Sequence, residues 1–129
     1  HERYGRLEGE TWRALRLVVD TGIHWYGWSR DRAVEEMARH LALPLPTIEA
    51  EVDRYIAWPG QALVYQLGNL KFRDLRRRAE GRLGEGFRIR AFHDALMAAG
   101  AVTLPVLEDL VEEWLHREEV PTAGERKLR

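Results

Sequence analysis

Four polar side chains lie among apolar neighbours near the middle of this 129-residue chain, namely Arg54, Tyr55, Gln61 and Tyr65. Each carries a hydrogen-bond donor, and a buried arginine or amide without a partner would be costly. Gln61 and Tyr65 are four positions apart, so they share one face of a helix. The sequence therefore predicts that these residues contact either one another, as a hydrogen-bond network at a helix corner, or a bound ligand.

His24 is a fifth candidate, because it opens a run with three aromatic rings at positions 24–28, HWYGW. One interpretation is a helix end held in the core by large rings. The other is a wall that faces a substrate, with His24 as its polar group. Asp20 lies four residues earlier, so its carboxylate is placed to orient the imidazole if the helix continues to His24.

The sequence lacks the common self-contained catalytic motifs. A zinc peptidase motif needs two histidines one helical turn apart and a glutamate base. The histidines stand at positions 1, 24, 40, 93 and 116, and the chain has no cysteine. We therefore predict no metal ligands in this chain. No phosphate-binding loop, dinucleotide glycine pattern or serine elbow is present. The single serine, Ser29, is interpreted as a helix cap.

The apolar pattern has helical period almost throughout and predicts an all-α protein, a compact bundle of about six helices. We expect a corner at Trp58 and Pro59, followed by a long central helix from Pro59 to about Gly81. Two apolar stripes on that helix predict packing on more than one side. Gly68, in its interior, predicts a close approach by another element. The helices of the whole chain are expected near 6–22, 29–41, 47–57, 59–81, 87–100 and 105–117.

Length and composition indicate one helical domain over residues 1–117, with a disordered charged tail over 118–129. The net charge is −1 and the apolar content is 45%. This balance gives no electrostatic case for nucleic acid, and no apolar run approaches the length of a membrane span, so we expect neither as a partner. The absence of cysteine leaves the compartment open.

Several stretches closely resemble one bacterial family. They are VVDTGIH at 18–24, GWSR at 27–30, RYIAWPGQAL at 54–63 and FHD at 92–94. The chain resembles the C-terminal part of the family catalogued as domain of unknown function 885, over nearly its whole length. That family looks like a group of zinc metallopeptidases with an HExxPGH-type motif, which this chain lacks.

The resemblance implies that this chain is the C-terminal segment of a longer peptidase whose missing N-terminal half binds zinc. No cofactor is then expected in the chain itself. By analogy with helical zinc peptidases, His24, Tyr55 and Tyr65 are the catalytic candidates, and Arg54 and Gln61 are the substrate-binding ones. A tyrosine or histidine aimed at a developing oxyanion contributes roughly 3–4 kcal/mol, and arginine suits a peptide carboxylate. Neither replaces the metal, so the chain alone is predicted to be inactive.

Two functions of different class stay open. The first is the hydrolase segment, with the zinc-binding half and a peptide-like substrate as partners. The second is a non-catalytic helical module that binds another protein. A segment separated from its other half should expose apolar surface, so we also expect self-association. Whether the parent protein is periplasmic, secreted or cytoplasmic depends on residues before His1.

Overall fold

A computed structural model describes residues 2–119, with side chains from Gly5 onward. Within that range the protein contains six α-helices, two short 3₁₀ helices and no strand, so the prediction of an all-α fold is confirmed. The α-helices are α1 (Glu2–His24), α2 (Arg30–His40), α3 (Leu45–Ala57), α4 (Val64–Leu83), α5 (Ile89–Ala98) and α6 (Leu104–Glu119). The 3₁₀ helices are Gln61–Leu63 and Gly84–Gly86.

The chain divides into two compact units, one up to Leu67 and the other from Gly68 onward. The prediction of a single domain over 1–117 stays a prediction. Helix α6 continues through Glu119, so it includes the first two residues of the predicted disordered tail. The rest of that predicted tail lies outside the described residues.

The first unit packs α1, α2, α3 and the first 3₁₀ helix around one apolar core. Burying an aliphatic side chain fully contributes about 1.5–3 kcal/mol, and this core holds several such residues together with the whole Tyr55 side chain. Ser29 caps α2 as predicted, since its Oγ accepts the Arg32 N–H at 3.3 Å. The buried members of the core are Leu15, Val19, Ala33, Val34, Met37, Leu41, Ile48, Val52, Tyr55 and Ala62.

The second unit packs the later part of α4 against α5 and α6. Its core includes Phe92, whose ring lies 5.9 Å from that of Trp114 in an edge-to-face arrangement. Charged residues join α4 to α6 along the surface: Lys71 and Arg78 both bind Glu108, and Arg82 binds Glu119. Arg78 is thus an interhelical ion-pair partner.

The corner between α3 and α4 differs from the prediction. We expected the long helix to begin at Pro59. Instead, residues 58–61 form a turn in which the Gln61 N–H donates to the Trp58 carbonyl at 3.2 Å. Gly60 has φ of 80° and ψ of −16°, the geometry that a type II turn requires at its third residue. Pro59 therefore occupies the second position of a turn, and the regular helix begins at Val64.

Helix α4 also has fewer buried side chains than predicted. Only Leu75 and Ala79 are buried on it, while Tyr65, Leu67 and Leu70 are exposed by 58%, 44% and 49%. A Cβ built on Gly68 would meet nothing within 4 Å. The predictions of packing on two sides and of a close approach at Gly68 are therefore wrong for the described residues. Most of the two apolar stripes on α4 is therefore exposed, although Leu75 is buried.

Candidate functional site

Helix α1 carries a row of four polar or aromatic side chains at successive four-residue steps, Trp12, Arg16, Asp20 and His24. Residues at this spacing follow one another along one side of a helix. Each of the four makes a hydrogen bond to the segment 51–60, which contains the end of α3 and the turn after it. The row therefore fastens α1 to the segment in which most of the candidate site residues lie.

The Tyr55 hydroxyl is the meeting point of the first two members of the row. It accepts hydrogen bonds from Trp12 Nε1 and Arg16 Nε, both at 3.1 Å, and donates to Glu51 Oε2 at 2.8 Å. The side chain is fully buried, and this burial raises the pKa of the phenol. A neutral hydroxyl that accepts two bonds and donates one has no capacity left for a substrate. Tyr55 therefore organises its neighbours.

Glu51 links the two arginines. Arg16 Nη2 donates to Glu51 Oε2 at 3.3 Å, and Arg54 Nη2 donates to the same oxygen at 2.8 Å. Burial opposes ionisation of Glu51, but the hydrogen bonds from Arg54, Tyr55 and Arg16 outweigh it and hold the pKa of that carboxyl below its ordinary value. Arg54 Nη1 also donates to Gln61 Oε1, so Gln61 belongs to the same network.

The Arg16 guanidinium lies among three aromatic rings. Its central carbon is 5.6 Å from the ring centre of Trp12, 5.7 Å from that of Tyr55 and 5.4 Å from that of Tyr65. Such cation–π contacts fix the plane of the guanidinium. Tyr65 is the exposed ring of the three, at 58%, so it is the aromatic member of this cluster most open to a ligand.

His24 binds the last part of α3 and Asp20 binds the turn after it, but the two side chains do not pair with each other as predicted. His24 Nε2 lies 2.9 Å from the Tyr55 carbonyl oxygen. A carbonyl only accepts, so Nε2 carries the hydrogen and Nδ1 of the neutral ring is left as an acceptor. Asp20 is 2% exposed, and its two oxygens accept the Gly60 N–H at 3.2 and 3.0 Å. The helix does continue to His24, but each side chain has a backbone partner instead, in α3 for His24 and in the turn for Asp20.

The aromatic rings after His24 fit neither interpretation as a group, since some are exposed and one is packed against the helices. Trp25 and Tyr26 are exposed by 81% and 72%, so they are not in the core. Trp28 packs on Gly22, where an added Cβ would lie 2.5 Å from two ring atoms. Arg32 covers the same ring at 4.2 Å. Only the last ring of the run is therefore fixed against the helices.

The structure brings the predicted site residues into one neighbourhood with different kinds of contact. Arg54, Tyr55 and Gln61 are hydrogen-bonded in the network, directly or through Glu51. Tyr65 joins through the Arg16 guanidinium, and His24 joins through the backbone of Tyr55 rather than its side chain. Their proximity is a finding, and their catalytic and substrate-binding roles stay predictions.

Sequence reasoning missed three members of the cluster, namely Trp12, Arg16 and Glu51. The partners of Arg16 lie 35 and 39 positions away in the chain, so no local pattern reveals them. The row of four-residue steps from Trp12 to His24 was the available signal. Only its last step, from Asp20 to His24, was used.

The described residues do not fit a zinc site. Between residues 2 and 119, no three side chains of histidine, cysteine, aspartate or glutamate come together as a metal site would require. The ionised group at the centre of the cluster, Glu51, is already bound by two arginines and a tyrosine. No reaction step is therefore assigned to a metal held by this part of the chain. No helix among these residues is long and apolar enough to cross a bilayer.

Comparison with known proteins identifies the family. The family model described as "Bacterial protein of unknown function (DUF885)" matches residues 1–111, so the chain belongs to that family. This confirms the family resemblance found in the sequence. No functionally curated protein matches the chain.

A solved structure shares the fold. The crystal structure of "the putative lipoprotein from Colwellia psychrerythraea" is 46% identical to this chain, with a TM-score of 0.85. The match covers 87% of this chain and 19% of that one. The chain thus spans about a fifth of the length of the Colwellia protein.

Proposed function

We propose that this chain is the C-terminal portion of a zinc-dependent hydrolase, most simply a peptidase, and forms one wall of its substrate cleft. The observation that carries the proposal is the clustering of Arg54, Tyr55, Gln61 and Tyr65 around Arg16 and Glu51. A surface stabilised by several charged hydrogen bonds keeps its donors in fixed positions, which is what recognition of a substrate carbonyl or carboxylate requires. The much longer Colwellia relative supports the idea of a larger parent.

In this proposal the exposed groups contact the substrate and the buried ones position them. Tyr65 and His24 are the exposed candidates. The Tyr65 hydroxyl, donated to a carbonyl oxygen that gains negative charge, contributes roughly 3–4 kcal/mol. His24, whose Nε2–H is held by the Tyr55 carbonyl, offers Nδ1 as an acceptor for a substrate N–H or O–H. Arg54 and Gln61 bind the polar backbone of a peptide-like substrate. Tyr55 holds Arg16 and Glu51 in place, so its contribution passes through them.

The proposal leaves the metal to another part of the parent protein. We expect the zinc ligands and the water-activating base in the missing N-terminal half. The chain by itself supplies only binding and orientation. It should therefore neither bind zinc stoichiometrically nor hydrolyse peptides alone.

Two preparations test the proposal. The isolated chain and the longest natural polypeptide that contains it are each dialysed against zinc and assayed with a mixed set of fluorogenic peptides. We expect one bound zinc and hydrolysis from the longer polypeptide only. There, Tyr65→Phe should lower kcat by about 10²–10³-fold with little change in zinc content. A longer polypeptide without bound zinc and without hydrolysis overturns the proposal.

The alternative function, a helical protein-interaction module, is favoured by one observation. Trp25, Tyr26 and Trp58 are exposed by 81%, 72% and 60% at two turns of the first unit. Large rings exposed in this way are typical of surfaces that bind another protein. Sedimentation velocity across a range of concentrations tests whether the isolated chain self-associates, as we expect. Replacing Trp25 and Trp58 with serine should then give a monomer at every concentration.

A further inference from the structure

We propose that Gly9, Trp12, Arg13 and Arg16, on one side of α1, form a subsite that binds a carboxylate group of a ligand. The four residues line a small cleft of about 110 Å³. None of the four was a candidate in the sequence. The subsite itself does not depend on the proposed function. Only the identity of its ligand does, because the carboxylate would belong to the peptide-like substrate.

The cleft contains guanidinium groups with unused hydrogen-bonding capacity. Arg16 uses Nε on the Tyr55 hydroxyl and Nη2 on Glu51, and its Nη1 makes no hydrogen bond to any residue that the structure describes. Arg13 has no ion-pair partner in that same part of the chain. Arginine presents a planar fork of donors that matches a carboxylate. Two arginines that line one cleft are therefore suited to bind one anion.

The charge around the cleft is unbalanced. Arg16 and Arg54 share the one carboxylate of Glu51, and Arg13 adds a further positive charge. Of the acidic residues nearby on α1, Glu10 is paired with Arg6, and Glu8 lines a different cleft together with Arg39 and His40. The three arginines therefore leave an excess of two positive charges, and a carboxylate bound at Arg13 and Arg16 would offset one of them.

The cleft is also shaped for a small group. The three aromatic rings around Arg16 hold its guanidinium in one plane, and the Arg16 side chain is only 16% exposed. A guanidinium fixed in this way loses little conformational entropy when it binds. Gly9 leaves space in front of Arg13, because an added Cβ would lie 3.7 Å from both of its terminal nitrogens.

A titration of the isolated ¹⁵N-labelled chain tests the subsite without metal or hydrolysis. Three peptides are compared: acetyl-Ala-Ala-Ala with a free carboxylate, the same peptide as its amide, and acetyl-Ala-Glu-Ala amide. The signals followed are the Trp12 indole N–H and the Arg16 Nε–H. We expect saturable chemical-shift changes with a peptide that carries a carboxylate and none with acetyl-Ala-Ala-Ala amide, which carries no carboxylate. The first and third peptides distinguish a chain terminus from an acidic side chain as the source.

Three variants make the test specific. Arg13→Gln should weaken binding by about tenfold, and Gly9→Leu should weaken it similarly by filling the cleft while keeping its charge. Arg6→Gln, on the same helix but outside the cleft, should bind as the parent chain does. The subsite proposal is overturned if acetyl-Ala-Ala-Ala amide gives the same chemical-shift changes as the peptides with a carboxylate. It is also overturned if both cleft variants bind as the parent chain does. Carboxylate binding by the isolated chain supports it even where the longer polypeptide proves inactive, so the two proposals fail separately.

Discussion

Arg16 and Arg54 share a single carboxylate, since Nη2 of each donates to Glu51 Oε2, at 3.3 and 2.8 Å. The two arginines come from different helices, α1 and α3, so this shared oxygen joins them directly. The Tyr55 hydroxyl donates to the same oxygen. Three donors on one oxygen make the cluster a unit, in which the loss of one member leaves the others incompletely paired.

Tyr55→Phe should therefore destabilise the first unit. The substitution removes a fully buried hydroxyl that accepts from Trp12 and Arg16 and donates to Glu51. We expect a loss of about 1–3 kcal/mol in the free energy of unfolding, because buried donors are left without an acceptor. Urea denaturation followed by circular dichroism measures the loss. The matched control is Tyr65→Phe, at an exposed ring, with a change within about 0.5 kcal/mol. Equal effects of the two substitutions would contradict the assignment of Tyr55 as the organising residue.

Asp20→Ala should also destabilise the chain, for a different reason. The nearly buried Asp20 carboxylate accepts the Gly60 N–H with both oxygens, and without it that N–H has no side-chain acceptor. The expected cost is about 1–3 kcal/mol. Asp20→Asn keeps one acceptor oxygen, so thermal melting should place it between the alanine variant and the parent chain. An asparagine variant as unstable as the alanine variant would mean that the charge, rather than the hydrogen bond, holds the turn.

Gly22→Ala should be unfavourable although alanine is the better helix former. The new Cβ would lie 2.5 Å from two atoms of the Trp28 ring, so the ring must shift. Overpacking of this kind costs typically about 1–3 kcal/mol, which exceeds the gain in helix propensity of roughly 1 kcal/mol. Gly81→Ala, in α4 with nothing within 4 Å of its Cβ, is the control and should be stabilising. Melting temperatures that rise for both variants would show that the Trp28 ring is not held on Gly22.

The second unit should lose stability in acid through Glu108. Hydrogen bonds from Lys71 and Arg78 lower the pKa of this carboxyl to about 2, from an ordinary value of 4.5. Because the folded-state pKa is depressed, the stabilisation is present above about pH 4.5 and is lost as the pH falls towards 2. Glu108→Gln should therefore be less stable than the parent chain at pH 7, and the difference should shrink as the pH falls towards 2 and vanish below it.

The measurement is thermal unfolding at a series of pH values and at low and high salt, since these side chains are partly exposed and screened. Glu113→Gln, on the same helix and without an ion pair among residues 2–119, is the control. A stability difference between the Glu108 variant and the parent chain that stayed constant from pH 7 to pH 2 would exclude the ionised carboxylate as its source.

The sequence predicted the helices well because their apolar period and caps are local. Ser29 illustrates this, since its capping bond reaches only to Arg32. The proximity of Arg54 and Gln61 could also be anticipated, because they lie on either side of one corner. Arg16 and Glu51 could not, because their contact joins helices separated by a whole helix and depends on how α1 packs against α3. The exposure of Leu67 and Leu70 was missed because an apolar stripe indicates a buried face without naming what covers it.

The stretches VVDTGIH and RYIAWPGQAL are bound to each other twice, by Asp20 on the Gly60 N–H and by His24 on the Tyr55 carbonyl. Both bonds end on backbone atoms, so these two contacts depend on the path of the main chain at positions 55 and 60. Over evolution these two stretches should behave as one inherited piece. Homologues that lack an aspartate at position 20 should differ in the length or glycine position of the turn at residues 58–61. Substitutions elsewhere on α3 should occur independently of position 20.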